Sequence, residues 1–414
     1  MTLFACGKRK FTPRKAGIHP PRFVLVIMPL RILICPNAYK GSLTSSLAAL
    51  AIQEGLLLSL PDAEIVTIPL ADGGDGTLET LVEATGGTFH TATVRDPLGR
   101  PLSARWGRLG GNQSDTAMIE MAEASGLRLL NQEEYDPRVT TTLGTGDLIN
   151  EALKAGCTRL LIGIGGSATN DGGAGMARAL GAKFRDKDGR ELPEGGAALI
   201  ALKEIDRQDF AVSSTVPVTV ACDVDNPLCG AEGASAIYGT QKGATPQMVL
   251  QLDTALAHYA EILEKTVGRS VRDLPGAGAA GGLGAGLLAF CNAELKSGID
   301  MVMEACGFEE ALKHCDLVIT GEGRLDGQTG RGKVISGVIR KAKASGVPVF
   351  ALAGSIARNT EFLLRPDGLT AAFGLMQEPM PIEEAMRDGY SLLREAAERL
   401  GTVLAIGRES IEKT

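Results

Sequence analysis

Histidine is scarce in this 414-residue chain, with four copies (His19, His90, His258, His314), and the eight cysteines are scattered without a C-x-x-C pair. Zinc, haem and iron–sulfur spacings are therefore missing, as are a histidine-based triad and a thiolate pair. Scattered thiols in a chain of this length fit a reducing compartment, so a cytoplasmic location is expected. Positive charge is also in deficit: 42 Lys and Arg against 49 Asp and Glu leave a net charge of −7 at pH 7. With aromatics at only 4% there is little to stack on bases, and nucleic acid is excluded as an expected partner. No apolar run approaches the ~18 residues of a membrane span, so no membrane partner is expected either.

Glycine is in excess, at 53 residues, where average usage would give about 29. The glycines fall in short clusters between apolar runs, which is neither the strict period of collagen nor the monotony of a linker. They read as loops where the backbone turns sharply or approaches something closely. Hydrophobic residues at 44% and charged residues at 22% describe a globular chain, and its length suggests two domains, or one with an insertion.

The first 27 residues carry Lys8, Arg9, Lys10, Arg14, Lys15 and Arg22 and no acid, and the apolar stretch Phe23–Met28 is cut short by Pro29. This pattern lacks a cleavage site and is too short to span a bilayer. Residues 1–29 are expected to form a disordered extension, with Met28 a candidate true start.

From there apolar strands alternate with helical patterns. Arg31–Cys35 precedes a helix from Ser42 to Leu60, with Ser42 or Thr44 as cap. Glu64–Leu70 precedes a helix over Thr77–Ala84 closed by Gly86. The alternation returns with strand Asp316–Thr320, a helix over Lys333–Ala344 and strand Pro348–Ala353. Such alternation predicts an α/β fold with a parallel sheet covered on both faces, built from 30–87 plus 291–408. Between them, turn signals at Asp96–Gly99 and Asp186–Gly189 suggest hairpins, interleaved with helices near Gly146–Ala155 and Met248–Thr266. Residues 88–290 are therefore expected to form an inserted mixed α/β domain.

Ligands of open α/β sheets bind outside the carboxyl ends of strands, and four strands here end in glycine-flanked polar loops. Pro36–Ser42 places Lys40 before a helix, suited to an anion. Ala71–Thr77 holds Asp72 and Asp75 among glycines; Asp75 is placed to cap the next helix, leaving Asp72 as the better candidate for chemistry. Gly163–Gly175 formally matches a dinucleotide fingerprint, but Thr169-Asn170-Asp171 falls where the helix should begin, so it reads as an amide-rich phosphate loop. Gly321–Lys333 imitates a P-loop in its tail, yet Val334 stands where Ser or Thr is required; what remains is Arg324 with Glu322 and Asp326. Asp223 and Asp225 end a further strand, and Pro275–Gly284 leads into a small-residue helix. Carboxylates, cations and amide-rich loops are the inventory of phosphoryl transfer.

At these loops the sequence closely resembles the bacterial class I glycerate kinases. The likeness runs from about Arg31 to Gly407 and includes Lys40-Gly41-Ser42-Leu43, Ala71–Thr77, Ile164–Gly173, Pro275–Gly282 and Thr320–Asp326. It implies an ATP- and Mg²⁺-dependent kinase acting on D-glycerate, with 2-phosphoglycerate as product, and a flavodoxin-like or Rossmann-like domain facing the inserted domain across a cleft. In the implied site Lys40 and Arg324 bind anionic groups, either the glycerate carboxylate or the transferring phosphate. Gly165, Gly166, Ser167, Thr169 and Asn170 cradle the polyphosphate. Asp72 or Asp171 orients or deprotonates the 2-hydroxyl, and Asp223 helps hold Mg²⁺. Ser42, Gly73, Gly74, Gly281, Gly282, Glu322 and Asp326 complete the expected contacts. The chain departs from the family pattern at Pro36-Asn37-Ala38, where Pro-Asp-Ser is common; Asn37 can hydrogen-bond but cannot take a proton. Asp75 replaces a more common Glu, and Ile335 stands where proline is common. The alternative reading is a non-catalytic sugar-acid or nucleotide sensor on the same fold.

Overall fold

The computed structural model describes residues 29–327, 329, 333–358, 360 and 368–412. The basic extension and its candidate start at Met28 lie outside the described residues. Strands β1 (Arg31–Ile34) and β2 (Glu64–Thr67) come first, followed by β3 (Thr88–Arg95), β4 (Pro101–Arg108), β5 (Thr116–Glu120), β6 (Arg159–Gly163), β7 (Lys183–Arg185), β8 (Glu204–Asp206), β9 (Val218–Ala221) and β10 (Glu294–Lys296). Strands β11 (Leu317–Leu325), β12 (Val349–Ile356) and β13 (Ala371–Gly374) follow.

A five-stranded sheet in the order β13-β12-β11-β1-β2 joins the two ends of the chain, and every pairing in it is parallel. Numbered along the chain this is the flavodoxin order 2-1-3-4-5, whose switch point lies between β1 and β11. Ile32 and Ile34 of β1 point into one cluster with Leu56 and Leu393, while Leu33 points into another with Val318 and Val338. Both faces of β1 are thus buried, which is why its sequence is apolar without alternation. Thr44 caps the helix Ser45–Ser59 by accepting from Leu47 N at 3.2 Å. That helix packs on the C-terminal helix Gly389–Glu412, where a Cβ on Gly55 would lie 2.0 Å from the Arg394 carbonyl oxygen.

The second sheet has the order β10-β9-β6-β5-β4-β3. The turn at Asp96–Gly99 does join an antiparallel pair, with Asp96 Oδ1 accepting from Leu98 N and Arg100 N. Beyond that edge the sheet is parallel through β5, β6, β9 and β10, so hairpins describe one side of this region only. Past the Asp186–Gly189 turn a single bridge forms to Glu191, and the ladder partner of β7 is β8. Alternate residues of β5 and β6 serve two layers: Ala117, Ile119, Leu160 and Ile162 share a cluster with Leu148 and Ile149 of the helix Leu143–Lys154. Met118 and Leu161 face the helices Thr77–Thr85 and Gly298–Ala305, which also cover the first sheet. This shared helical layer sets the carboxyl ends of the two sheets side by side.

Two local readings change. β11 does not stop at Thr320; it runs on to Leu325, paired as Glu322 to Ala353 and Arg324 to Ser355, so the start of the expected loop is strand. Asp75 does not cap the helix Thr77–Thr85. Gly76 occupies the cap position without a side-chain bond, and Leu78 N is met by Glu120 Oε1 from β5 at 2.8 Å. A cap supplied across 42 residues leaves no local trace.

Glu120 is 5% exposed, and burial pushes its carboxyl up to about 7 against the repayment from Leu78 N. The folded chain holds a proton there that the unfolded chain, with an ordinary value of 4.5, has released. Stability is therefore expected to fall as pH rises from about 4.5 to 7, by on the order of 1.4 kcal/mol per unit. Glu120→Gln keeps an acceptor for Leu78 N and removes that slope; urea denaturation at about pH 5 and pH 8 measures both, and equal slopes in the two proteins would refute it.

Candidate active site

The β1 loop and the end of β11 flank the switch point, and between them lies a cavity of about 340 Å³. Lys40, Arg324 and Lys333 bring positive charge to it, and Glu322, Asp326 and Asp72 bring negative charge. Tyr39 anchors the β1 loop by donating its hydroxyl to the Leu352 carbonyl at 2.7 Å, leaving the neighbouring Lys40 exposed. Asn37 Oδ1 accepts from Ala38 N at 2.8 Å. Glu322 and Arg324, two apart on β11, share a face. Glu322 is 7% exposed and accepts from Thr329 Oγ1 at 2.6 Å. Burial raises its carboxyl above the ordinary range, with Thr329 and Lys333 opposing. Arg324 is exposed, its Nε 3.7 Å from Asp326 Oδ2, beyond hydrogen-bond distance. The short helix Ile382–Arg387 roofs the cavity, held by Ser42 Oγ donating to the Met386 carbonyl at 2.5 Å.

A second cavity of about 530 Å³ opens at the carboxyl ends of β6 and β9. Gly165, Gly166 and Ser167 line it after β6, Asp223 after β9, and Gly73 and Gly74 from the β2 loop, together with Lys242 and Ala280 from later segments. Asp72 lines both cavities. It is carried there because Ile68 N and Leu70 N bond to the Ile34 and Pro36 carbonyls, which prolongs β2 beside β1 before the chain turns at Gly73.

Gly298 stands between the two acids of the larger cavity. Its N–H donates to Asp223 Oδ1 at 2.9 Å, and a Cβ on it would lie 2.0 Å from the Asp72 carbonyl oxygen. Loss of surrounding water raises the Asp223 carboxyl, and the charges of Asp72 and Asp300 add to this. Gly298→Ala must push the β2 loop away, at a cost of about 1–3 kcal/mol. Catalytic turnover is expected to fall more steeply than thermal stability, and a variant with wild-type turnover would show that Asp72 needs no such placement.

The sequence profile of the glycerate kinase family matches residues 32–405. The chain belongs to the glycerate kinase family. The glycerate 2-kinase of Escherichia coli (strain K12) is 48% identical over 380 residues, covering 91% of this chain and 99% of its own. The glycerate kinase of Bacillus subtilis (strain 168) is 45% identical over 380 residues, covering 92% and 99%. A crystal structure assigned to glycerate kinase 2 from Salmonella typhimurium LT2 superposes with a TM-score of 0.85 at 45% identity, covering 92% of this chain and all 100% of that one.

Within this glycerate kinase family fold, the expected site residues divide. Lys40, Ser42, Glu322, Arg324 and Asp326 line the smaller cavity; Gly73, Gly74, Gly165, Gly166, Ser167 and Asp223 line the larger. Thr169, Asn170, Asp171, Gly281 and Gly282 line neither. Past Ser167 the loop dives into the core. Asn170 donates to Ser235 Oγ at 2.9 Å, and a Cβ on Gly281 would meet the Thr169 carbonyl oxygen at 1.9 Å. Asp171 is 1% exposed and accepts from the backbone N–H groups of Thr142, Gly173 and Gly175 at 2.8, 3.1 and 3.1 Å. It ties together the starts of the helices Leu143–Lys154 and Ala174–Ala179. Lys333, the roof helix and Lys242 were not among the expected contacts. Lys333 stood in the imitation P-loop, and Lys242 had only the glycines Gly239 and Gly243 beside it as a signal.

Proposed function

We propose that this chain transfers the terminal phosphoryl group of ATP to the 2-hydroxyl of D-glycerate, giving 2-phosphoglycerate, with Mg²⁺. The observation that carries this reading is Asp72, placed where a cavity lined by cations and a cavity lined by a glycine loop meet. Phosphoryl transfer needs a donor and an acceptor brought to one point, with the negative charge offset on both sides. In this reading the smaller cavity takes glycerate, its carboxylate gripped by Arg324 and Lys40, and the larger takes the nucleotide's polyphosphate on Gly165, Gly166 and Ser167. The 2-hydroxyl oxygen attacks the γ-phosphorus, the bond to the bridging oxygen breaks and ADP leaves. The hydroxyl proton passes to the Asp72 carboxylate. Asn37 Oδ1 accepts from Ala38 N and its amide takes no proton, so in this reading the proton goes to Asp72 and not to position 37.

Asp223 on the larger cavity fits Mg²⁺, which takes one or two carboxylates together with phosphate oxygens and water. Among the described residues no group of three or more His, Cys, Asp or Glu could hold a metal ion. Asp223 would hold the ion, which offsets charge on the transferring phosphoryl group when bound. Asp171 is proposed as a positioning residue instead of a base. We also propose the domain division 30–87 plus 291–408 and 88–290 on the two sheets, and a cytoplasmic location on the unpaired state of the seven described cysteines.

The test couples the purified chain, D-glycerate, Mg²⁺ and ATP to enolase free of phosphoglycerate mutase, followed by phosphoenolpyruvate absorbance. Signal without mutase is expected. Signal only after mutase is added would move the transfer to the 3-hydroxyl. Glycerate binding without any signal would instead assign a sensor.

A further inference from the structure

Among the described residues lining the larger cavity, Lys242 is the only lysine or arginine. It arrives on the short 3₁₀ turn Thr240–Lys242, far in sequence from the glycine loop it meets. Its side chain is 1% exposed, and Nζ donates to Ser167 Oγ at 2.7 Å and to the Thr169 carbonyl at 2.6 Å. Both partners are neutral oxygens, and among the described residues no carboxylate lies within ion-pair distance. An ammonium carries three protons, so two are placed by these bonds.

Burying an ammonium without a counter-charge costs several kcal/mol. The cost is visible as a lowered pKa, pushed down to about 7 by burial, with the charge of Asp171 opposing. A purely structural pin for the loop would be better served by a neutral donor. An anion entering the cavity supplies the missing counter-charge, and it meets at the same place the exposed backbone of Gly165 and Gly166, the latter at φ +71°. Successive amides in such a turn make a concavity for anions.

We propose that Lys242 is the ammonium that receives the polyphosphate of the nucleotide, holding Ser167 and the Gly165–Gly166 amides against it. The proposal rests on the kinase reading above and adds to it a binding residue and the cavity in which the nucleotide's charge is neutralised. Lys40, Arg324 and Lys333 are thereby left to the acceptor side.

The first test treats the wild-type full chain with an acyl-phosphate derivative of ATP, a mixed anhydride on the terminal phosphate. A lysine amine beside the phosphate attacks the acyl carbon, the anhydride C–O bond breaks, ATP leaves, and an amide forms with release of a proton. Peptide mass spectrometry is expected to find Lys242 acylated, with protection by excess ATP and none by D-glycerate. Acylation of Lys40 or Lys333 with Lys242 untouched would overturn the assignment while leaving the kinase reading in place. Absence of ATP-protected acylation together with absence of turnover would defeat the kinase reading itself. The second test is Lys242→Met, expected to raise KM for ATP about 10- to 100-fold, as loss of a charge-assisted bond does, with KM for D-glycerate within about twofold of wild type. Equal rises in both constants, or none in either, would mean that Lys242 only pins the loop.

Discussion

Asp72→Asn is expected to lower kcat by about 10²- to 10⁴-fold, the usual worth of general-base assistance, with the thermal midpoint unchanged. The side chain is only half-buried and lies 3.4 Å from Gly74 N, a weak contact that the amide oxygen of Asn can reproduce. What Asn cannot reproduce is a proton acceptor at the junction of the two cavities. The loss corresponds to about 3–5 kcal/mol of transition-state stabilisation. It should fall on kcat and kcat/KM alike, since the interaction strengthens as the proton moves. Wild-type turnover by this variant would remove Asp72 from the reaction and with it the reading of the two cavities as donor and acceptor sites.

Asp171→Ala is expected to act in the opposite way, by destabilising the fold. Three backbone N–H groups and the Thr142 hydroxyl converge on this carboxylate in the core, and each amide left bare costs about 1–3 kcal/mol. A total loss of about 3–5 kcal/mol of unfolding free energy is expected by denaturant titration. Turnover per folded molecule should fall far less than in Asp72→Asn. A variant of full stability with abolished turnover would restore Asp171 as a reacting group. The two aspartates look alike in the sequence, each among glycines after an apolar strand, and the pair of variants separates them.

That likeness marks how far a linear reading reaches. The alternation of apolar strands and helices, the caps at Thr44 and Gly86, and the glycine loops at strand ends are all legible, because each is set by residues a few positions apart. So is Asp72 as a candidate, a carboxylate in the glycine-flanked loop that follows a strand of a parallel sheet. The loop Gly163–Gly175 is legible as a special backbone but not as a surface. Gly165 and Gly166 face the cavity, whereas Thr169 to Asp171 turn inward. Nothing in the order of the letters says where exposure ends.

The sequence by itself determined the fold class, the parallel sheet made from the two chain ends, the family and most of the loops that line the two cavities. The fold class and the sheet arise from local conformational preference and from the period of apolar residues, which act over one element at a time, whereas the family is legible in the ordered glycine-rich motifs that resemble it. Only the tertiary structure decided which loops share a cavity, that Asp72 lines two of them, that Asp171 is a buried clasp, and that Lys242 reaches Ser167 across 75 residues. The free energy of a buried charge depends on atoms contributed by distant segments, and those segments are brought together only when the shared helical layer between the sheets has packed.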